Sequence, residues 1–214
     1  MKRTLLLSLV LLPVLAAGYV LFHPGVAFTE TPLAKTTEAA STQQEGDFTV
    51  DPAHTCIGFD IGHLGLSRVQ GRFSKLTGSL HADKKDVTKS NVKINIDASS
   101  VDTAVAPRDA DLRSANFFDV AKYPQLTFAS TSIRQHGKDY IAVGDLTIKG
   151  IAKPVTIQFK QYGPIKDPWG KVRIGVVADP LVIHRSDFGM TYDADTVSDD
   201  VTIRISLEAT LDKK

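Results

Sequence analysis

Val101-Asp-Thr-Ala-Val-Ala-Pro-Arg-Asp-Ala-Asp-Leu-Arg-Ser-Ala-Asn-Phe-Phe-Asp-Val-Ala-Lys-Tyr-Pro124 carries the clearest helix signal in a chain whose other segments alternate like β-strands. Pro107 suits a first helical turn, where its missing N–H would have no partner anyway. Asp109 and Asp111 meet the positive end of the helix dipole, and Arg113 falls near the negative end. Phe117 and Phe118 follow at once, and Tyr123-Pro124 stops any further helix. The spacing predicts a short helix over residues 108–116 that acts as a plug or lid. Asp109 and Arg113, four apart, predict an ordinary surface ion pair.

Outward from this stretch the period is two. Val92, Ile94 and Ile96 alternate with Lys93, Asn95 and Asp97, and Val155, Ile157 and Phe159 alternate with Thr156, Gln158 and Lys160. Val172, Ile174 and Val176 repeat the pattern, as do Val201, Ile203, Ile205 and Leu207. Further strands are expected over residues 57–61, 69–81, 126–135 and 140–149, with turns at Gly137, Gly150 and Gly163-Pro164. Each strand has one apolar face, and one short helix is too small to cover about eight of them. The sheet must close on itself. The expected fold is all-β: an antiparallel barrel of about eight strands with one short helix between strands, wide enough to be filled by side chains or to hold one slender ligand as lipocalins do. A two-sheet sandwich is the alternative. Inward positions rich in valine and isoleucine leave room for an apolar cavity.

Lys2 and Arg3 precede an uncharged, leucine-rich run from Thr4 to Phe22, the pattern of an export signal. That run approaches the roughly 20 residues that span a bilayer, so residues 1–27 read as a cleaved signal peptide or a retained membrane anchor. Residues 28–46 are small and polar without an apolar period, a flexible tether. The folded domain is expected over residues 47–211. Export places it in the periplasm, tethered to the inner membrane by residues 4–22 if these are kept. Cys56 is the single cysteine, so an internal disulfide is excluded. In Thr55-Cys-Ile-Gly-Phe-Asp-Ile61 it has the opposite parity to Ile57, Phe59 and Ile61, which points it outward. A net charge of +1 with interspersed signs offers no basic stripe for nucleic acid.

The block Phe59-Asp-Ile-Gly-His-Leu-Gly-Leu-Ser-Arg-Val-Gln-Gly-Arg-Phe73 and the opening stretch resemble the YceI family. The likeness continues through Thr127-Phe-Ala-Ser-Thr131, Gly144-Asp-Leu-Thr-Ile-Lys-Gly150, Lys153-Pro-Val-Thr156 and Arg185-Ser-Asp-Phe-Gly-Met190, in order and over nearly all of residues 47–211. The resemblance implies a lipocalin-like barrel that holds an isoprenoid chain in an internal tunnel, commonly periplasmic and commonly a dimer. Ala104 and Ala106 stand where glycine and polar residues are frequent in that family, and Lys149 stands where histidine or arginine is common. The head group therefore stays open.

His63 reads either as a polar contact at the tunnel mouth or as a buried histidine satisfied by backbone at a strand bend. Arg108 and Arg113 offer planar recognition of a phosphate, carboxylate or quinone head. Phe117, Phe118, Tyr123 and Phe128 are expected to pack the helix on the barrel rim and to line the tunnel. With Phe59, Phe73 and Phe188 they complete the candidate ligand-binding set. The histidines show no metal-ligand spacing, and no metal is expected. Arg185-Ser-Asp187 beside His184 imitates a hydrolase set, but adjacent residues in extended chain point to opposite faces, and no nucleophile elbow or phosphate loop is present. The expected function is non-catalytic binding and transport or storage of an amphipathic isoprenoid lipid, polyprenyl or quinone-type, with no cofactor beyond that lipid. The alternatives are an enzyme or accessory protein acting on quinone or lipid precursors, and a structural or stress-response module with a packed barrel.

Overall fold

The computed structural model describes residues 44–213. The expected signal or anchor, residues 1–27, and residues 28–43 of the expected tether lie outside the described residues. In order come β1 (Gly46–Val50), β2 (Cys56–His63), β3 (Ser67–Phe73), β4 (Leu76–Ala82), β5 (Asn91–Asp97) and β6 (Val101–Asp102). Then follow α1 (Ala106–Arg113), β7 (Gln125–His136), β8 (Asp139–Ile148), β9 (Ile151–Lys166), β10 (Val172–Ala178), β11 (Leu181–His184) and β12 (Val197–Leu211).

Eight of these strands close a ring in the order β1, β4, β5, β7, β8, β9, β10, β12, each antiparallel to the next, with β12 returning to β1. The fold is an all-β closed barrel with one α-helix between strands. Closure removes both sheet edges, which a half-buried sheet without helical cover requires. β12 is longer than its ring neighbours need. Its last residues pair with β1 and β10, and its first half carries β2 on one edge and β11 on the other. β2 continues outward into β3 and β6, forming a flap beyond the ring.

The strand expected over residues 69–81 is two strands that serve different parts of the molecule. Phe73 and Leu76 are both buried, and a spacing of three between inward residues reverses the alternation. At the break, the Ser74 N–H donates to the Ser100 carbonyl and the Lys75 N–H to the Ser100 hydroxyl, both at 3.1 Å. β3 thereby stays with the flap while β4 enters the ring.

The helix also shifts, starting two residues before the expected 108–116 and ending three before. Val105 supplies no side-chain cap. Asp109 instead ties the helix to the chain before it, accepting from the Thr103 N–H at 2.9 Å and the Thr103 hydroxyl at 2.5 Å. The Ser114 N–H and hydroxyl both donate to the Asp111 carbonyl, at 2.9 and 2.7 Å, and end the helix there. The expected Asp109–Arg113 ion pair does not form. Asp109 is buried on Thr103, and Arg113 donates to the carbonyls of Ser99 and Val101. Cys56 is exposed, as its parity requires.

The two ends of the barrel are filled differently. Phe48, Val50, Leu76, Ile174, Leu207 and Ala209 pack the end near β1 and the last residues of β12. The other end, under the flap and α1, is hollow.

Candidate functional site

β2 and β3 set Phe59, Ile61, Val69 and Phe73 on one face, and α1 with the turn after it lays Leu112, Phe117 and Phe118 across from them. With Ile183, Val201 and Ile203 they enclose a cavity of about 440 Å³, within the ~300–1,000 Å³ of small-molecule sites. Much of its polar lining comes from the elements at the mouth. His63 and Ser67 stand at the ends of the β2–β3 hairpin, Arg108 and Asp111 on α1, and Asp193 on the loop before β12. Walls are thus apolar and the opening polar, the arrangement an amphipathic ligand needs.

A second space of about 100 Å³ lies deeper, lined by Ile94, Ile96, Phe128, Leu146, Ile205 and others. Phe59, Phe73, Leu126, Ile148 and Ile203 border both spaces. Phe59 and Phe73 are tilted at 5.9 Å between ring centres, and Phe118 meets Phe73 edge-on at 5.5 Å. Gly71 lies opposite Phe59 across the β2–β3 pair, and a Cβ there would stand 2.4 Å from that ring. The missing side chain is the seat of the Phe59 ring.

The candidate residues therefore separate. His63, Arg108, Phe117, Phe118, Phe59 and Phe73 line the main cavity, and Phe128 lines the deeper space. Among the described residues the His63 ring meets no hydrogen-bond partner, so its nitrogens stay available at the mouth. Arg108 gives Nε to the Thr103 hydroxyl and Nη2 to the Thr103 carbonyl, at 2.8 and 3.0 Å, and retains Nη1. Three candidates stand apart from both spaces. Arg113 is spent on backbone carbonyls at 2.6 Å each, Tyr123 packs beside Gly150 under the Lys122 ammonium, and Phe188 is buried in the core.

Several residues of the site escaped the sequence reading. Thr103 and Asp109 form the latch under Arg108. The Asp109 carboxyl is held below its ordinary range, first by the Thr103 hydroxyl and then by the Thr103 N–H and the two arginines. Arg185 lines the cavity from a buried position, donating to the carbonyls of Met190, Tyr192, Val197 and Ser198 at 2.6–3.0 Å. It shapes the loop that delivers Met190 and Asp193. Its sequence signal is the Arg185–Met190 motif, in which the serine and aspartate beside His184 imitate a hydrolase set. Ser186 donates to Asp199 at 2.8 Å and His184 pairs with Asp200 at 2.8 Å, so no serine–histidine contact exists there.

Two other charged groups are structural. Asp60, buried on β2, is flanked by Arg68 and Arg204. Asp51, His54 and Glu208 converge, and Arg173 sits among them, 2.7 Å from Asp51 and 3.3 Å from Glu208, while its Nε meets Asp167 at 2.8 Å.

A small closed barrel with a flap and one helix over a largely apolar cavity defines a class of barrel domains with room for one slender ligand. Residues 48–209 match the YceI-like domain family, to which the chain belongs. Protein YceI of Escherichia coli is 39% identical over 177 residues, covering 82% of this chain and 92% of its own. The crystal structure of BcnA from Burkholderia cenocepacia superposes with a TM-score of 0.68 at 26% identity, covering 75% of this chain and 99% of that one. A polyisoprenoid binding domain from Saccharophagus degradans, implicated in plant cell wall breakdown, shares the fold with a TM-score of 0.61 at 17% identity, covering 79% of this chain and all of its own.

Proposed function

We propose that the barrel binds an amphipathic isoprenoid lipid, polyprenyl or quinone-type, and transports or stores it without chemical change. The observation that carries this reading is the 440 Å³ cavity with apolar walls and a polar mouth. Each buried methylene contributes ~0.8 kcal/mol, so tail contact alone supplies affinity, and His63 and Arg108 orient the head. Family membership and the polyisoprenoid binding domain from Saccharophagus degradans support the same ligand class. A tail longer than the main cavity extends past Phe59 and Phe73 into the deeper space. The N-terminal run with the pattern of an export signal supports a periplasmic location, as a free carrier or as a head held by an N-terminal anchor. No cofactor besides the lipid enters the reading, and a homodimer is its expected assembly.

The test is to purify the protein from its native envelope and identify co-purifying lipid by mass spectrometry, with polyprenol and quinone titrations of the delipidated protein alongside. A stoichiometric isoprenoid supports the reading. Empty protein that takes up neither compound overturns it.

A further inference from the structure

At the open end of the barrel apolar side chains face water where the fold gains nothing from them. Leu64 is 54% exposed and Leu66 85% exposed, both in the turn between β2 and β3. Leu64 also holds φ at +52°, a left-handed conformation that glycine or asparagine adopts with less strain. Tyr192 and Val105 add exposed apolar surface from the loop before β12 and the start of α1. The three elements are joined. The Leu64 N–H donates to the Thr196 carbonyl at 2.7 Å, and Tyr192 meets the cavity-lining Phe117 edge-on at 5.7 Å. These same elements supply the polar mouth of the cavity, so the exposed leucines form its rim.

We propose that this rim is a membrane-docking surface: Leu64 and Leu66 enter the interfacial layer of a lipid bilayer and set the cavity mouth on the source of its ligand. The proposal rests on the lipid-binding reading for its purpose, and on the exposed rim for its geometry. Two other occupants fit less well. The chain preceding Gly46 leaves from the opposite end, because Gly46 begins β1 beside the last residues of β12 while Val197, at the other end of β12, lines the cavity. The 15 residues of β12 span ~50 Å at ~3.3 Å each. A second copy of this chain would need a face of about 20–30 residues, and a few rim side chains do not supply it. The mouth carries Asp111 and Asp193 beside Arg108 and His63, so apolar insertion rather than charge drives the contact.

The test is flotation with extruded vesicles of phosphatidylethanolamine and phosphatidylglycerol, using residues 38–214, a compact unit that lacks the apolar run 4–22, and comparing the parent with the Leu64→Asn/Leu66→Gln double variant and with Leu66→Gln alone. Asparagine tolerates the left-handed backbone, and Leu66 is so exposed that its single variant keeps the fold. Vesicle partitioning and the rate of uptake of a fluorescent polyprenol from vesicles should each fall about tenfold in the double variant, with equilibrium affinity for the same polyprenol added from solvent held within about twofold. Trp169, the single tryptophan and 80% exposed at the far end, reports orientation. Its emission should not shift on vesicles. Partitioning unchanged by the substitutions overturns the proposal, as does a blue shift of Trp169. A dimer that the substitutions dissociate, in a protein that does not float, overturns it in favour of a second copy. A parent protein that binds no polyprenol from solvent sinks the lipid reading instead, and flotation reads docking independently of that result.

Discussion

The Arg113 guanidinium donates to the carbonyl oxygen of Val101 across 2.6 Å, so the last turn of α1 is bolted to the strand that precedes it. Arg108, five residues earlier, faces the cavity instead. Two arginines that look equivalent in sequence therefore do different work. Arg113→Ala should lower unfolding stability by about 1.5–3 kcal/mol, the range for hydrogen bonds involving a charged group, and should speed ligand release by loosening the cover. Arg108→Ala should change preference among head groups with less loss of stability. Urea denaturation and competition between a prenyl phosphate and a prenol separate the two. Equal loss of head-group preference in both variants would refute the division.

Phe73 is the wall between the two spaces. Phe73→Ala should cost about 3–5 kcal/mol as a buried aromatic truncation and should shift preference toward longer isoprenoids, because the two spaces become one. Gly71→Ala should act in the opposite sense, pressing on the Phe59 ring from 2.4 Å and narrowing the passage. Dissociation constants for a ladder of prenols of rising length measure both. Parallel changes in the two variants would disprove the gate.

Arg185 holds four carbonyl oxygens in a buried position. Arg185→Met keeps much of the volume and leaves those acceptors without a donor. The expected loss is about 3 kcal/mol or more, by the general cost of stranding buried polar groups. Hydrogen exchange should localise the loosening to residues 190–198. Protection there equal to the parent's would count against this role.

The barrel was legible because its cause is local: Val201, Ile203, Ile205 and Leu207 alternate, and a one-faced strand without helical cover must close. The flap was not, because it depends on β12 outrunning β1 and on the parity slip between Phe73 and Leu76, and both are properties of pairing across the chain. His63 and Arg108 line the cavity, but the residue types alone left each open between a ligand contact and a structural role. Arg113 and Tyr123 read the same way and lie outside, because side-chain direction on a turn of helix or a loop is set by partners far in sequence, here Ser99 and Val101 for Arg113. Arg185 was hidden by its neighbours, whose residue types suggested a chemistry that their geometry does not support.

Asp51 carries the acid sensitivity of the closed end. Its carboxyl accepts from Arg173 at 2.7 Å and from His54 at 2.9 Å, and these contacts, Arg173 first, lower its pKa from the ordinary 3.8 to about 2. A pKa depressed by folding means that the unfolded chain binds the proton more readily. The contribution is therefore complete above about pH 4 and is lost as pH falls toward 2. At ~1.36 kcal/mol per unit it amounts to about 2 kcal/mol. Asp167, lowered by the same Arg173, adds to the loss in the same direction. Urea midpoints from pH 6 to pH 2 should fall most steeply below pH 4, and Asp51→Asn should start lower and fall less. If the variant falls as steeply as the parent, the acid response belongs to other carboxylates and not to the Asp51–Arg173 pair.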